Sequence, residues 1–173
     1  EILKQHYEKI AVFRPIIEHS DIKDNDLLFL IEYFSLDMKY EDGVGISVKE
    51  LETKIAHNET HDILEQLIAK FEKLKKMYDF LLIEGLCRDS FSAVIDFDVN
   101  LKIAKNLDSP LVAVLKGKNR TIDEILEDIR IEDEVIKNEG CTHFATFVNR
   151  ISSDFLTDIR DKIKREEIFF IPE

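Results

Sequence analysis

Charged and polar residues directly follow the apolar segments of this sequence, and they are the residues best placed to do chemistry. Arg14 follows KIAVF, and Glu84 follows DFLLI with Arg88 shortly after it. Lys118 comes shortly after LVAVL, and Asn149 and Arg150 follow HFATFV. Ligands of open α/β sheets bind beyond the carboxyl ends of the strands. Each of the four loops carries a basic residue, although the chain has only 24 basic against 36 acidic residues. An anionic ligand is the functional interpretation, and solvated loop charges are the structural one.

Glu84 is the sharpest of these signals, because an unpaired carboxylate at the end of a buried strand is costly. Two interpretations follow from the sequence. Glu84 forms an ion pair with Arg14 that joins two strand ends, or it belongs to a Mg²⁺ or phosphate site. Pro15 favours an extended backbone at Arg14, which suits either interpretation.

A nucleotide-hydrolysing site of the phosphate-loop type is not encoded in this chain. Such a loop needs G-x-x-x-x-G-K-[ST], in which backbone amides surround the phosphates and the lysine neutralises them. Gly117-Lys118 has neither the preceding glycine nor the following hydroxyl residue. We therefore do not expect nucleotide hydrolysis by this chain alone.

Histidines and cysteines do not predict a further site. His57 and His61 are four positions apart, but the zinc-protease motif requires glutamate directly after the first histidine, and Glu59 comes one position later. Cys87 is a nucleophile candidate only by its place after Glu84-Gly85, and the structural interpretation is a small apolar filler.

Composition narrows the partners and the compartment. The formal net charge of −12 opposes binding to a polyanion, so no nucleic acid partner is expected. The chain contains no apolar run near the roughly 20 residues that span a membrane, and nothing resembles a signal peptide. The two cysteines lack metal-ligand spacing, which indicates reduced thiols in a cytoplasmic protein.

Five continuous apolar runs predict buried strands, which is the pattern of a parallel sheet covered on both faces. The runs are residues 9–14, 79–84, 111–115, 143–148 and 167–171. Helical patterns lie between them, at 26–34, 47–55, 58–77, 97–106, 121–138 and 153–165. We expect one α/β domain over residues 1–173, a three-layer α/β/α sandwich with a mostly parallel sheet.

Local signals refine these boundaries. Ser47 with Glu50 and Thr121 with Glu124 are capping-box pairs that begin helices, and Gly140 predicts a left-handed residue at a helix end. Residues 37–46 contain Gly43 and Gly45 and are interpreted as an exposed loop.

The strand ends together resemble a known family. KIAVFRPI (9–16), DFLLIEGL (79–86), LVAVLKG (111–117), GCTHFATFVNRI (140–151) and IFFIPE (168–173) are similar, in order and spacing, to the dethiobiotin-synthetase-like domain at the amino end of long-type phosphate acetyltransferases. The resemblance covers nearly the whole chain. It implies a P-loop NTPase-like fold.

The resemblance also implies roles for particular residues. Arg14 stands where the family often has a phosphate-contacting lysine, Glu84 where the synthetases have a Mg²⁺ ligand, and Asn149 where they recognise a base. Asp26 is a second metal-ligand candidate. The implied cofactor is a nucleotide with Mg²⁺, at a vestigial nucleotide or anion edge formed by Arg14, Glu84, Gly85, Lys118, Asn149 and Arg150. With arginine in place of lysine, a planar guanidinium group replaces a compact ammonium charge at this position.

The family pattern begins with a strand, a phosphate loop and a helix that precede KIAVFR. Residues 1–8 correspond to the end of that helix, so the resemblance implies that this chain is a fragment of a larger one without the first strand and the loop. That strand normally lies inside the sheet, and without it hydrogen-bonding edges are left unpaired.

The function implied is a non-catalytic, amino-terminal regulatory or assembly domain of a phosphate acetyltransferase. The acetyl transfer would belong to a carboxyl-terminal domain of the same parent chain. Expected partners are that domain, further copies in a homo-oligomer, and a small anionic metabolite. Two alternatives stay open: a dethiobiotin-synthetase-like ATP-dependent enzyme, and a pure interaction module.

Overall fold

A computed structural model describes residues 2–57, 59–86 and 93–173, with side chains omitted for 93–98. The chain divides into two compact units, Glu1–Leu107 and Asp108–Glu173. Each unit is an α/β structure in its own right, and the expectation of one domain over the whole chain stays a prediction. The interpretation of Cys87, and the basic residue Arg88 in the same loop, lie outside the described residues.

The first unit contains a three-stranded parallel sheet of order β2-β1-β3. Its strands are β1 (Ile10–Ile17), β2 (Val44–Ser47) and β3 (Phe80–Ile83). Its helices are α1 (Asn25–Tyr33), α2 (Tyr40–Gly43), α3 (Val48–Ala56), α4 (Thr60–Lys75) and α5 (Ala93–Asn106).

Helix α4 shows how the apolar spacing of the sequence forms the core of this unit. Ile63, Leu67, Phe71 and Leu74 recur at helical spacing and are all buried against Phe13 of β1 and its neighbours. Each such side chain contributes roughly 1.5–3 kcal/mol when removed from water. The predicted helix is confirmed, with slightly shorter bounds.

The expectation of an exposed loop at residues 37–46 is wrong. These residues form the short helix α2 and the strand β2, in which Ile46 is buried. Glycine in that stretch suggested a loop, but it serves close packing of two strands: a Cβ built at Gly45 would lie 1.9 Å from the carbonyl oxygen of Pro15.

The second unit contains a parallel sheet of order β4-β5-β6. Its strands are β4 (Leu111–Lys116), β5 (His143–Ile151) and β6 (Ile168–Pro172), and its helices are α6 (Ile122–Glu139) and α7 (Leu156–Lys162). The core lies between the sheet and these helices, and it is formed by Leu115, Ile125, Ile129, Val148, Ile151, Ile159 and Ile168.

The predicted ends of α6 are confirmed in detail. The Thr121 hydroxyl accepts from the Glu124 N–H at 3.3 Å, and the Glu124 carboxylate accepts from the Thr121 N–H at 2.8 Å. At the other end Gly140 adopts φ 73°, a left-handed conformation that glycine takes at little cost.

Parallel sheets with flanking helices confirm the α/β fold class, and each of the five predicted strands is present. Among the described residues, no helix combines the length and apolarity that crossing a membrane would require.

Candidate functional site

The register of the first sheet brings Arg14 and Glu84 together. Phe13 of β1 pairs with Ile83 of β3, so the next residue of each strand lies side by side with its neighbour. The Glu84 N–H donates to the carbonyl of Phe13 at 2.9 Å, which fixes the backbone at this point. Strand β1 continues to Ile17, so Arg14 lies within the strand and beyond the end of β3.

The Arg14 guanidinium is held by three carboxylates, and we call these four residues the Arg14 cluster. Nη1 donates to the carboxylate of Asp24 and to Oδ2 of Asp26, the second at 3.3 Å. Nε lies 3.5 Å from Oε2 of Glu84. The Arg14 side chain is only 11% exposed, whereas Asp26 is well exposed. The predicted Arg14–Glu84 ion pair is therefore present.

Asp24 is the member of this cluster that sequence reasoning missed. It is the N-cap of α1, where its carboxylate accepts from the Leu27 N–H at 2.9 Å. Its own N–H donates to the hydroxyl of Tyr40 at 2.7 Å. An aspartate just before an apolar helical run is an N-cap signal, and that signal could have revealed it.

Electrostatics within the Arg14 cluster favour the charged form of Arg14 and disfavour that of Glu84. Burial raises the pKa of Glu84; the Arg14 charge opposes this, while Asp26 and Asp24 add to it. Burial disfavours the Arg14 charge, but Glu84, Asp24 and Asp26 outweigh that cost and raise its pKa. Nε of Arg14 and Oε2 of Glu84 are buried without a hydrogen-bond partner, so the ion pair alone compensates them.

The loop after Glu84 is held by Asn100 of α5, another residue that the sequence did not single out. Asn100 Oδ1 accepts from the Leu86 N–H, and its Nδ2 donates to the Leu86 carbonyl, both at 2.9 Å. A Cβ built at Gly85 would lie 2.7 Å from Asn100 Oδ1. Glycine at position 85 therefore lets the Asn100 amide approach the backbone.

The second unit has its own group of charges, and we call Lys118, Arg150 and Glu173 the Glu173 cluster. Oε1 of Glu173 lies 3.0 Å from Lys118 Nζ and 3.9 Å from Arg150 Nε. Both cations are substantially exposed. Asn149 is adjacent: its carbonyl accepts from the Gly117 N–H at 2.7 Å, and its side chain is exposed.

Arg150 is directed outward by an irregularity of β5. The register between β5 and β6 shifts between Asn149 and Ile151, and Arg150 adopts φ 60°. This is the geometry of a β-bulge with one residue in the left-handed region, which re-aims side chains at the end of a strand. It explains why two consecutive residues, Asn149 and Arg150, are both exposed.

The residues of the predicted edge lie in two groups, one in each unit. Arg14, Glu84, Gly85 and Asp26 gather in the first unit, and Lys118, Asn149 and Arg150 gather in the second. Convergence of all of them on a single rim stays a prediction.

A bound Mg²⁺ does not fit the Arg14 cluster as it stands. Carboxylate oxygens are suitable donors for Mg²⁺, but those of Asp24, Asp26 and Glu84 already contact one guanidinium. Their donor atoms do not all lie within 4.8 Å of one another; in the described ranges, only the exposed group His61, Asp62 and Glu65 meets that distance. The metal-ligand roles of Glu84 and Asp26 stay predictions.

One other arrangement has the order of a catalytic triad. Nε2 of His143 lies 2.9 Å from the Thr146 hydroxyl, and Nδ1 lies 3.5 Å from Asp133. Thr146 is only 1% exposed, so no substrate can reach its oxygen. Asp133 also pairs with Arg165. We interpret the group as a structural link between α6 and β5.

Comparison with known proteins places this chain in a family. The AAA_26 family model, described as an AAA domain, matches residues 1–169. The phosphate acetyltransferase of Nitratidesulfovibrio vulgaris is 28% identical over 152 residues, which is 87% of this chain and 22% of that protein. The phosphate acetyltransferase of a Synechocystis strain is 26% identical over 167 residues, which is 95% of this chain and 24% of that protein.

The chain therefore spans about a quarter of the length of these curated relatives. Because the family model covers nearly all of its residues, the chain belongs to the AAA_26 family of AAA domains.

Proposed function

We propose that this chain is a non-catalytic regulatory or assembly domain of a phosphate acetyltransferase. In the parent protein, phosphate would attack the acetyl group of acetyl-CoA, breaking the C–S bond, forming a C–O bond and releasing CoA as the thiol. One observation carries the proposal: both relatives align with almost all of this chain, yet about three quarters of each lies outside the alignment.

The Arg14 cluster supports a non-catalytic role. One positive and three negative side chains meet there, a formal charge of −2. A phosphate that approached Arg14 would meet this excess of negative charge, and it would have to displace carboxylates that the guanidinium already binds. Arg14 therefore serves the stability of the sheet better than it could serve a phosphate.

The Glu173 cluster is the more suitable place for a small anionic metabolite. Lys118 and Arg150 face a single carboxylate, so the formal charge is +1, and the exposed amide of Asn149 is nearby. A metabolite carboxylate or phosphate could replace the side chain of Glu173 without unpairing a buried group. We place the proposed sensing function there, in a cytoplasmic protein that also contains the acetyltransferase domain.

The alternative of a dethiobiotin-synthetase-like ATP-dependent enzyme is favoured by one feature: Arg14 and Glu84, the residues expected to contact phosphate and Mg²⁺, are neighbours, with Nε and Oε2 3.5 Å apart. The two functions differ in an ATP hydrolysis assay of the parent protein. ATP turnover that Glu84→Gln abolishes while the protein stays folded would support the enzyme.

The proposed function is tested in the parent protein with and without residues 1–173. CoA thiol release from acetyl-CoA and phosphate is followed, together with the mass of the assembly. We expect the shortened protein to retain acetyl transfer and to lose oligomers or the response to metabolites. Loss of transfer in a folded Arg14→Met parent of unchanged assembly would contradict a non-catalytic role.

A further inference from the structure

Helix α1 presents two stacked aromatic side chains to solvent. Phe29 is 57% and Tyr33 is 67% exposed, and their ring centroids lie 5.1 Å apart in a stacked geometry. Tyr33 also meets the ring of Phe34 edge-on at 5.0 Å. Residues 26, 29, 30 and 33 share one side of the helix because they are three or four positions apart. We call Phe29, Leu30 and Tyr33 the α1 aromatic face.

The opposite side of α1 already packs on the protein. Leu27 is fully buried there, and Ile31, one turn later, is half-buried. A helix that is apolar on both sides belongs in an interior or an interface rather than on a free surface. Single exposed apolar residues need no explanation, but a stacked aromatic pair on a helix with a filled inner side does.

The two ends of the α1 aromatic face carry opposite charges. Asp26, which is well exposed, lies in the first turn beside Asp24. At the other end the Lys4 ammonium donates to the carbonyl of Phe34. Asp26 and Phe34 are about 12 Å apart along the helix axis. The face therefore has the Asp26 carboxylate at its amino end and the Lys4 ammonium, with the exposed Glu32 nearby, at its carboxyl end.

We infer that a second copy of this chain covers the α1 aromatic face, with the two α1 helices antiparallel about a two-fold axis. In that arrangement Asp26 approaches Lys4 of the partner subunit at both ends of the contact, and the helix dipoles also oppose each other favourably. The aromatic rings of the two copies pack together in the middle. A patch that is complementary to itself is what a two-fold contact requires.

Cross-linking in the full parent protein tests this contact, whatever else holds the assembly together. Phe29→Cys lies near the centre of the antiparallel contact, so mild oxidation should produce a covalent dimer. Glu65→Cys, exposed on α4, is the matched control and should give none beyond the background of the unmodified protein. Assemblies that persist without a 29–29 cross-link would overturn the inference.

Removal of the aromatic rings is the second test. Phe29→Gln with Tyr33→Gln keeps good helix formers and should raise the dimer dissociation constant at least about tenfold in sedimentation experiments. Ile55→Gln with Ile131→Gln, on α3 and α6, is the control: these apolar side chains are also exposed, at 40% and 45%, and their replacement should leave the constant unchanged. A fall in melting temperature at unchanged mass would show that another segment of the same chain covers the face.

This contact gives the proposed assembly function a specific surface. Its tests need no activity measurement. Failure to cross-link would therefore leave the acetyltransferase assignment standing, and failure of that assignment would leave the contact standing.

Discussion

The Arg14 cluster and the Glu173 cluster are built from the same kinds of side chain, but they differ in sign and in burial. The first places one largely buried guanidinium among three carboxylates, and the second places two exposed cations next to one carboxylate. Their formal charges are −2 and +1. The Arg14 side chain is 11% exposed and that of Arg150 is 60% exposed.

The difference shows why the positions of charged residues after strands do not tell a structural ion pair from a ligand-binding site. A buried cation must be compensated from within the protein, and the compensating carboxylates then repel an anionic ligand. An exposed cation is compensated by water and stays able to bind an anion, although its own ion pairs contribute little to stability. Burial, which the sequence does not display, decides between the two outcomes.

Arg14→Met should have the largest effect on stability. It leaves the Asp24 carboxylate, whose side chain is 9% exposed, and the half-buried Glu84 without their cation. The cost should be about 2–3 kcal/mol, somewhat less than for a fully buried pair that loses one partner. The free energy of unfolding in urea measures the loss. Arg14→Lys keeps the positive charge, but an ammonium group cannot donate to several carboxylates in the planar geometry of a guanidinium. This variant should therefore recover only part of the loss.

An Arg14→Met variant as stable as the original protein would show that the Arg14 cluster is solvated like the Glu173 cluster. The distinction between the two regions would then disappear, and Arg14 would again be available for a phosphate.

Asn100→Ala should have the next largest effect, about 1–2 kcal/mol, because it removes two hydrogen bonds to the backbone of Leu86. Gly85→Ala alone should also destabilise the protein, since its Cβ would meet the Asn100 amide. In the Asn100→Ala background the same change should cost much less. Urea unfolding of the four proteins in this cycle measures the coupling.

Equal costs of Gly85→Ala in both backgrounds would contradict this account of the loop. Glu84 would then be positioned by its strand alone, and the Arg14 cluster would not depend on α5.

The sequence predicted helices and strands well where a single local rule determines the structure. The Thr121–Glu124 capping box, the Gly140 helix end and the apolar face of α4 each follow from local geometry. Strand β2 was missed because glycine is typical of loops. At position 45 glycine is instead required by the close approach of the Pro15 backbone, which the sequence does not reveal. Asn100 was missed for a similar reason, since its contact with Leu86 depends on how α5 packs.

The candidate site was predicted in part. The Arg14–Glu84 ion pair was predicted because both residues follow apolar strand segments and because a buried carboxylate without a partner is costly. The pair is present. Asp24, which binds the same arginine, comes from the start of α1 and has no strand-end position. Its inclusion strengthens the electrostatic conclusion, because it changes the formal charge of the cluster from −1 to −2.

Glu84 should give the Arg14 cluster a characteristic pH dependence. Its pKa in the folded protein is raised above the ordinary value of 4.5, so the native state binds more protons than the unfolded state above that pH. The stabilising contribution is complete below pH 4.5 and is lost as pH rises through the raised pKa. Unfolding free energies of the original protein and of Glu84→Gln from about pH 4 to about pH 8 isolate this slope.

The advantage of the original protein over Glu84→Gln should fall as pH increases. A difference that instead grows with pH would mean that the Arg14 charge lowers the pKa of Glu84 by more than burial raises it. Glu84 would then behave like a carboxylate in an ordinary surface ion pair.

The Glu173 cluster should show the smallest effects on stability and a response to anions that the Arg14 cluster lacks. Lys118→Met and Arg150→Met should each change the unfolding free energy by no more than about 0.5 kcal/mol, because exposed pairs exchange readily with water.

Inorganic phosphate, titrated by NMR, should shift the amide signals of Lys118 and Arg150 and leave those of Arg14 unmoved. Glu173→Gln should strengthen that response, since it removes the carboxylate that competes with phosphate for both cations. Phosphate shifts centred on Arg14 would reverse the comparison, because they would show that three carboxylates do not prevent a buried guanidinium from receiving an anion.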